Sequence, residues 1–338
     1  MAKSPSLSDV AKAASVSPAT VSRHLNRSIS LPQDTAERID RAVAALKYRP
    51  NPHARSLGRG RSDTIGLVMP DIANPFFAKL AGAVEIAADQ MGLGVMLCAT
   101  FNRQAREIEY IDRLRQNFVD GLLFATNHPD DGTLAAAINQ SAGVVLIDED
   151  IPGADAAKVF ADNEQGGALA ARHLIEAGHR RLAYIGGPRG LMSARERAAG
   201  FREVVRQAGP SAEIVSEAFG SYAADHGRAT MSRLLDDHVD VTAVFAGSDE
   251  ILIGMLEIMR GRGLRVGRDV SIVTFDDAEP LSLLEPPITA VRQPIERMGL
   301  AAVEMMLKTL TTRDGATTMR LPVELVVRSS VVPPAKGG

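Results

Sequence analysis

From Leu7 to Leu46 the apolar positions recur every three or four residues: Leu7, Val10, Ala11 and Ala14, then Val21 and Leu25, then Ala36, Ile39, Val43 and Leu46. That period lays an apolar stripe along each of three short helices. The segment Arg49-Pro50-Asn51-Pro52 breaks it, because proline disfavours helix at the residue before it. From Thr64 the texture changes. Short continuous apolar runs appear at Ile65–Met69, Val95–Ala99, Leu122–Ala125, Val144–Ile147, Leu182–Ile185, Val244–Ala246 and Ile272–Phe275. Stretches of helical period separate them, near 76–91, 104–118, 133–140, 164–177, 194–208, 225–236, 249–262 and 295–310. Strands that are apolar throughout and alternate with helices describe an α/β fold, a doubly wound parallel sheet covered on both faces. Roughly 270 residues of this alternation exceed one comfortable sheet, so two lobes are expected behind an all-α head.

Composition adds little to the fold but narrows the function. The 338 residues are 45% hydrophobic and 23% charged, an ordinary globular balance. No apolar run approaches the ~20 residues of a membrane helix, and Met1 to Ser8 lacks the apolar core of a secretory leader. A cytoplasmic location is the expectation. The single cysteine, Cys98, excludes an internal disulfide and a thiolate zinc site, and its apolar neighbours predict a buried core residue. Charge is the informative quantity. The formal net charge is −3, yet residues 1–61 carry +7 and the remainder −10. A basic head on an acidic body is the electrostatic footprint of a nucleic-acid-binding module joined to something else.

The head has more to offer than charge. Ser17 is a good N-cap and Pro18 suits a first helical position. Val21 and Leu25 then share the face turned to the first helix, while Ala19, Ser22, Arg23 and Asn26 share another. One arginine, short polar groups and little bulk suit a face that enters the major groove. Asp9-Val10-Ala11, Ala14, Val16-Ser17, Thr20-Val21-Ser22-Arg23, Asn26 and Pro50-Asn51-Pro52-His53-Ala54-Arg55-Ser56-Leu57 stand in a pattern that resembles the lactose-repressor (LacI) family, and the likeness covers nearly the whole chain. The resemblance implies that Pro18, Ala19 and Arg23 read bases, with Arg23 bidentate to a guanine and Ala19 offering an apolar contact. Thr20, Ser22 and Asn26 would reach phosphate or sugar, and Ser8 belongs to the same DNA-facing set. It further implies that Asn51 to Leu57 is a hinge helix, too short to be stable alone. Leu57 would be its wedge between base pairs, with Ala54 close to the groove; Asn51 can cap the helix, and Asn51 and Arg55 belong to the DNA-binding set.

The same resemblance sets the domain plan: a head at 1–49, a hinge at 50–61 and a two-lobed core at 62–338, similar to periplasmic sugar-binding proteins. Its first lobe would comprise about 62–161 and 293–321, and its second about 163–290 and 322–332. Ligand would sit in the cleft at the strand C-terminal ends. Polar or aromatic residues that follow apolar runs are the candidates: Asp71, Asn74, Phe76, Phe77, Asp148, Arg197, Tyr222, Ser248, Asp249, Asp276 and Gln293. Carboxylates accept from hydroxyls, arginine donates, and an aromatic face covers the apolar side of a sugar ring. By family position Asp148, Arg197 and Asp276 are the strongest contacts, and Asp249 is a candidate tie between the lobes. Ser248 departs from the asparagine of the lactose repressor, so the same sugar is not implied.

Other signals are weak. Gly186-Gly187-Pro188-Arg189-Gly190 lacks a phosphate-binding glycine pattern and reads as a turn. His173 and His179 read as charges compensating a helix C-terminus. No catalytic motif, metal-ligand cluster or cofactor fingerprint appears. The expected protein is therefore not an enzyme and carries no cofactor or metal. It is a sequence-specific transcriptional regulator, expected to repress, and a homodimer on a near-palindromic double-stranded operator. A small effector, a sugar or sugar derivative, would control it allosterically, without a membrane partner. No leucine heptads follow Leu321, which disfavours a zipper-built tetramer. The competing readings are a sugar-binding transport protein or sugar-processing enzyme on the same architecture, and a non-specific nucleoid protein.

Overall fold

The structure is a computed structural model that describes residues 5–26, 28–48, 61–116, 118–312 and 316–334. The chain divides into two compact units, 1–62 and 63–338.

In the first unit, α1 (Leu7–Ala14), α2 (Pro18–Leu25) and α3 (Gln33–Ala45) surround a small core of Val10, Ala11, Ala14, Val21, Ile39 and Ala42. These are the positions where the helical stripes meet. Ser6 and Asp9 form a reciprocal capping box that starts α1. Ser15 ends it in the left-handed conformation (φ 53°), and its amide returns to the carbonyls of the last turn. The chain can therefore turn within three residues and restart at Ser17-Pro18.

In the second unit, two six-stranded sheets lie in sequence. The first has the order β11-β5-β4-β3-β1-β2, with β1 (Thr64–Met69), β2 (Gly94–Ala99), β3 (Gly121–Phe124), β4 (Val144–Ile147), β5 (Ala157–Ala161) and β11 (Thr318–Leu321) all parallel. The second has the order β12-β10-β9-β8-β6-β7, from β6 (Arg181–Gly186), β7 (Glu213–Phe219), β8 (Ala243–Ala246), β9 (Ser271–Phe275), β10 (Thr289–Arg292) and the antiparallel β12 (Glu324–Val326). Alternate residues of each run serve opposite faces: Leu67, Leu123 and Val145 pack to one side, and Val68, Leu122 and Val144 to the other. Continuous apolar runs are thus what a sheet covered twice requires. On the first sheet α4 (Pro75–Gln90) pairs with α11 (Ile295–Thr312), opposite α5 (Gln104–Arg115) and α6 (Thr133–Asn139). On the second, α7 (Asn163–Glu176) pairs with α8 (Met192–Gln207), and α9 (Ala224–Asp236) with α10 (Asp249–Gly261). The chain passes between the sheets after β5, after β10 and between β11 and β12.

All seven apolar runs are strands and all eight helical stretches are helices. The sequence pattern overlooks β5, β7, β10, β11 and β12. All five lie at or next to a sheet edge, and polar residues interrupt them, as in Glu213-Ile214-Val215-Ser216-Glu217 of β7. Cys98 is buried as expected, which pushes its thiol up to about 11. The two histidines differ from expectation. Burial lowers both below the ordinary imidazole value, and His179 Nδ1 lies 3.0 Å from Thr242 Oγ1. Such groups are neutral at neutral pH, so they hold packing rather than compensate a dipole.

One helix pair positions the site. α7 and α8 meet backbone to backbone at Gly167 and Gly200: a methyl group on Gly167 would lie 2.0 Å from the Arg197 carbonyl oxygen, and one on Gly200 would lie 1.9 Å from that of Glu164. No flexible side chain can give way there. Gly200→Ala should force the helices apart and destabilise the core by about 1–3 kcal/mol, read as a lower urea midpoint; an unchanged midpoint contradicts this account of the crossing.

Candidate functional site

The two units each carry a candidate surface. In the head, Ser17 Oγ accepts from the Thr20 amide at 3.1 Å, and Pro18 opens α2. Val21 is buried, whereas Pro18, Ala19 and Arg23 are exposed and Thr20, Ser22 and Asn26 half-buried. The exposed face is thus small and flat around one cation. Its guanidinium enters no ion pair among the described residues. Asn26 Nδ2 donates to Ser22 Oγ at 3.5 Å, and Thr20 Oγ1 lies 2.8 Å from Ser17 Oγ. His24 Nε2 lies 2.9 Å from Asp40 of α3 and fixes the back of α2. Ser8 is exposed in the first turn of α1. The hinge candidates Asn51, Ala54, Arg55 and Leu57 lie outside the described residues.

In the core, the C-terminal end of β4 faces those of the neighbouring strands β8 and β9 across the cleft between the lobes. Asp148 follows β4 and Asp276 follows β9, and both adopt the left-handed conformation, with φ 72° and 70°. That conformation turns the chain at the strand end, and aspartate tolerates it better than bulkier residues do. Arg197 of α8 occupies the centre. It is 4% exposed; its Nε donates to Asn163 Oδ1 at 2.8 Å and Nη1 donates to the Gly247 carbonyl at 2.7 Å. Asp276 Oδ2 lies 3.8 Å from Nη1, and the Phe275 ring lies 3.6 Å beneath the guanidinium. Gln293 Nε2 donates to Asp276 Oδ1 at 2.7 Å, while Gln293 Oε1 is buried without a partner. Tyr222 stands 5.6 Å from the guanidinium and lies against Gly187, where any β-carbon would collide with its ring. The glycine turn makes room for an aromatic wall.

These groups enclose a pocket of about 40 Å³, lined also by Asn74, Phe76, Phe77, Ser248, Asp249 and Glu250. A larger cavity of about 790 Å³ adjoins it and shares Phe76, Asp249, Asp276 and Gln293. Carboxyls crowded in so confined a space resist ionisation. Burial, opposed by Arg197, pushes Asp148 up to about 8. Burial and then the nearby Asp276 push Asp249 up to about 7. Among the described residues no cluster suits a metal ion and no helix is long and apolar enough to cross a membrane.

Comparison with known proteins finds matches to both units. Residues 6–51 match the family described as bacterial regulatory proteins, lacI family, and residues 171–331 match the periplasmic binding protein-like domain. The ribose operon repressor of Halalkalibacterium halodurans is 35% identical over 332 residues, covering 98% of this chain and 97% of that protein. The chain belongs to the lacI family. Among solved structures, the lac repressor dimer bound to operator and the anti-inducer ONPF superposes with a TM-score of 0.85 at 28% identity, covering 98% of this chain and 100% of that one. The complex of the transcriptional regulator CelR with cellobiose superposes with a TM-score of 0.73 at 33% identity, covering 96% and 99%. The three are repressors or transcriptional regulators by name.

Ten of the eleven cleft candidates line the pocket of this lacI-family chain. Asp71 stands apart: its Oδ1 accepts from the Ala73 amide at 2.9 Å, and it serves the turn before α4. Asn74 and Ser248 line the pocket and also cap helices, accepting from Phe76 N at 2.9 Å and Ile251 N at 3.2 Å. The polar contact between lobes at α10 falls on Glu250 rather than Asp249: Asn74 Nδ2 donates to Glu250 Oε1 at 3.4 Å. Sequence reasoning missed Asn127, Ser193 and Glu250. Asn127 follows the run 122–125, so the rule that found Asp148 could have found it. Nothing in the local pattern marks Ser193.

A raised carboxyl binds its proton more tightly folded than unfolded, so its contribution is fully present below the unfolded value of 3.8 and is lost as pH rises toward about 8. An amide has no charge to bury. Asp148→Asn should therefore gain melting temperature relative to the unsubstituted protein between pH 4 and 8, in amount growing with pH, and show no gain below pH 3.8. A difference independent of pH would contradict the burial of this carboxyl.

Proposed function

We propose that the protein is a cytoplasmic, homodimeric repressor that binds a near-palindromic operator through α2 and is controlled by a neutral, polyhydroxylated ligand in the inter-lobe cleft. The lacI-family membership and the exposed cation of Arg23 on a flat helix face support the DNA half of the reading. One observation carries the ligand half: a buried arginine, three aspartates and an unpartnered Gln293 acceptor converge in one pocket. Acceptors outnumber donors there. A ligand rich in hydroxyl donors answers that imbalance, and the rings of Tyr222, Phe76 and Phe77 can cover its apolar faces. The cellobiose of the CelR complex, and the ribose operon in the name of the Halalkalibacterium halodurans repressor, fit this class.

Control is by binding, not turnover. The pocket of about 40 Å³ holds water but no pyranose, so the lobes must separate or the adjoining cavity must admit the ligand. Ligand that binds one lobe arrangement better shifts the population toward it. Residues 50–61, which join the head to the core along the chain, are the route by which that shift reaches the head in this reading.

Selection of bound duplexes from a random pool should enrich a near-palindrome, and Arg23→Ala should relax one base position by about 1–3 kcal/mol. Equal weakening on every duplex would point to a non-specific binder; no enrichment at all would end the regulator reading for this head.

In calorimetry against D-ribose, D-galactose, cellobiose and ribose 5-phosphate, a neutral sugar should bind. The phosphate should bind at least about tenfold more weakly than ribose, because its charge must leave water for a pocket whose one cation, Arg197, already has Asp276 beside it. Preference for the phosphate would overturn the assignment.

A further inference from the structure

Glu149 adjoins Asp148 but lies behind the cleft wall, 2% exposed. Its side chain leaves the first lobe and ends at the N-terminus of α8 in the second. That helix lacks a cap of its own, because its N-cap residue is Leu191 and no side chain of its own closes the first turn. Glu149 supplies the acceptors instead. Oε1 accepts from the Met192 amide at 2.6 Å, and Oε2 accepts from the Ser193 amide at 3.2 Å and the Ser193 hydroxyl at 2.6 Å. A carboxylate suits this place, since helix N-termini carry free amides and a partial positive charge.

The surroundings show that this turn is docked on the other lobe. Met192 is buried with the apolar residues on one face of the first sheet. Arg320 of β11 donates twice to Glu196 at 2.7 Å. Pro129, after β3, fills the space beside Gly190, where a β-carbon would lie 2.4 Å from its ring. The same helix carries Ser193 and Arg197 into the pocket, and Ser193 Oγ lies 3.1 Å from the Tyr222 hydroxyl.

We propose that Glu149 is a positioning residue: by capping α8 across the cleft it couples lobe closure to the placement of Ser193, Tyr222 and Arg197 around the effector. When the lobes part, the carboxylate and the first amides of α8 lose each other; when they close, both are satisfied at once. The inference rests on the reading of the cleft as the effector site.

The test is hydrogen exchange on the full-length chain without ligand, followed by calorimetry with D-ribose, D-galactose and cellobiose. In Glu149→Ala the peptide 190–198 should exchange about tenfold faster, with Glu149→Gln between it and the unsubstituted protein, since an amide retains one of the two acceptors. Peptides over β7 and α9 should not change, and affinity for whichever sugar binds should fall by a similar factor. Unchanged exchange at 190–198 in both variants overturns the cap. Uniform acceleration across the second lobe, or faster exchange with unaltered sugar affinity, overturns the positioning role. If none of the three sugars binds the unsubstituted protein, the effector reading fails for them, and the coupling to such a ligand fails with it, while exchange still decides the cap.

Discussion

The core is organised around a charge that has been taken out of water. Burying a guanidinium is unfavourable by several kcal/mol unless acceptors surround it in good geometry. Arg197 finds them on separate elements: Asn163 at the start of α7, the Gly247 carbonyl after β8, and Asp276 after β9, with Phe275 beneath. Each of those elements must therefore be where it is. The crossing of α7 and α8 at Gly167 and Gly200 is part of the same constraint, because it sets Asn163 and Arg197 at bonding distance. A pocket built around such a residue is rigid on one side, which leaves lobe movement as its adjustable coordinate.

That rigidity explains why the electrostatics are sharp. Arg197 offers the pocket a single full positive charge, against Asp148, Asp249, Asp276 and Glu250. The raised values of Asp148 and Asp249 follow first from burial and then from neighbouring carboxyls. Ligand hydroxyls can donate to these groups where no protein donor is available. The cleft is thus incomplete by itself in a way that a polyol, more than an anion or a hydrocarbon, would complete.

Much of this was legible in the sequence, for reasons that differ by element. The doubly covered strands show as unbroken apolar runs because both their faces are buried, as with Val144–Ile147. Edge strands bury less, so β7 mixes glutamate and serine into its run and hides. The cleft residues show because topology puts strand C-terminal ends together, so any polar residue after a run, such as Asp148 or Asp276, is a candidate. The rule fails where local geometry claims the side chain first: Asp71 bonds to its own turn. It also cannot see contacts between distant segments. Nothing near Glu149 says that Met192 and Ser193 will lie against it, since that meeting depends on how two lobes dock and not on either stretch alone.

The division of charge along the chain takes on meaning in this light. A head of +7 binds phosphates whatever their sequence, so affinity alone is easily obtained and falls with salt. On the proposed homodimer, what needs control is whether two heads are held in the spacing that a palindrome demands. A body of −10 adds no attraction of its own to DNA and leaves that control to geometry. The free energy available for it is the difference in ligand affinity between lobe arrangements, and no larger. A contact such as the Glu149 cap, made in one arrangement and lost in the other, sets where that equilibrium rests before ligand binds, without touching either ligand or DNA, and this is why residues behind the pocket wall matter as much as those that line it.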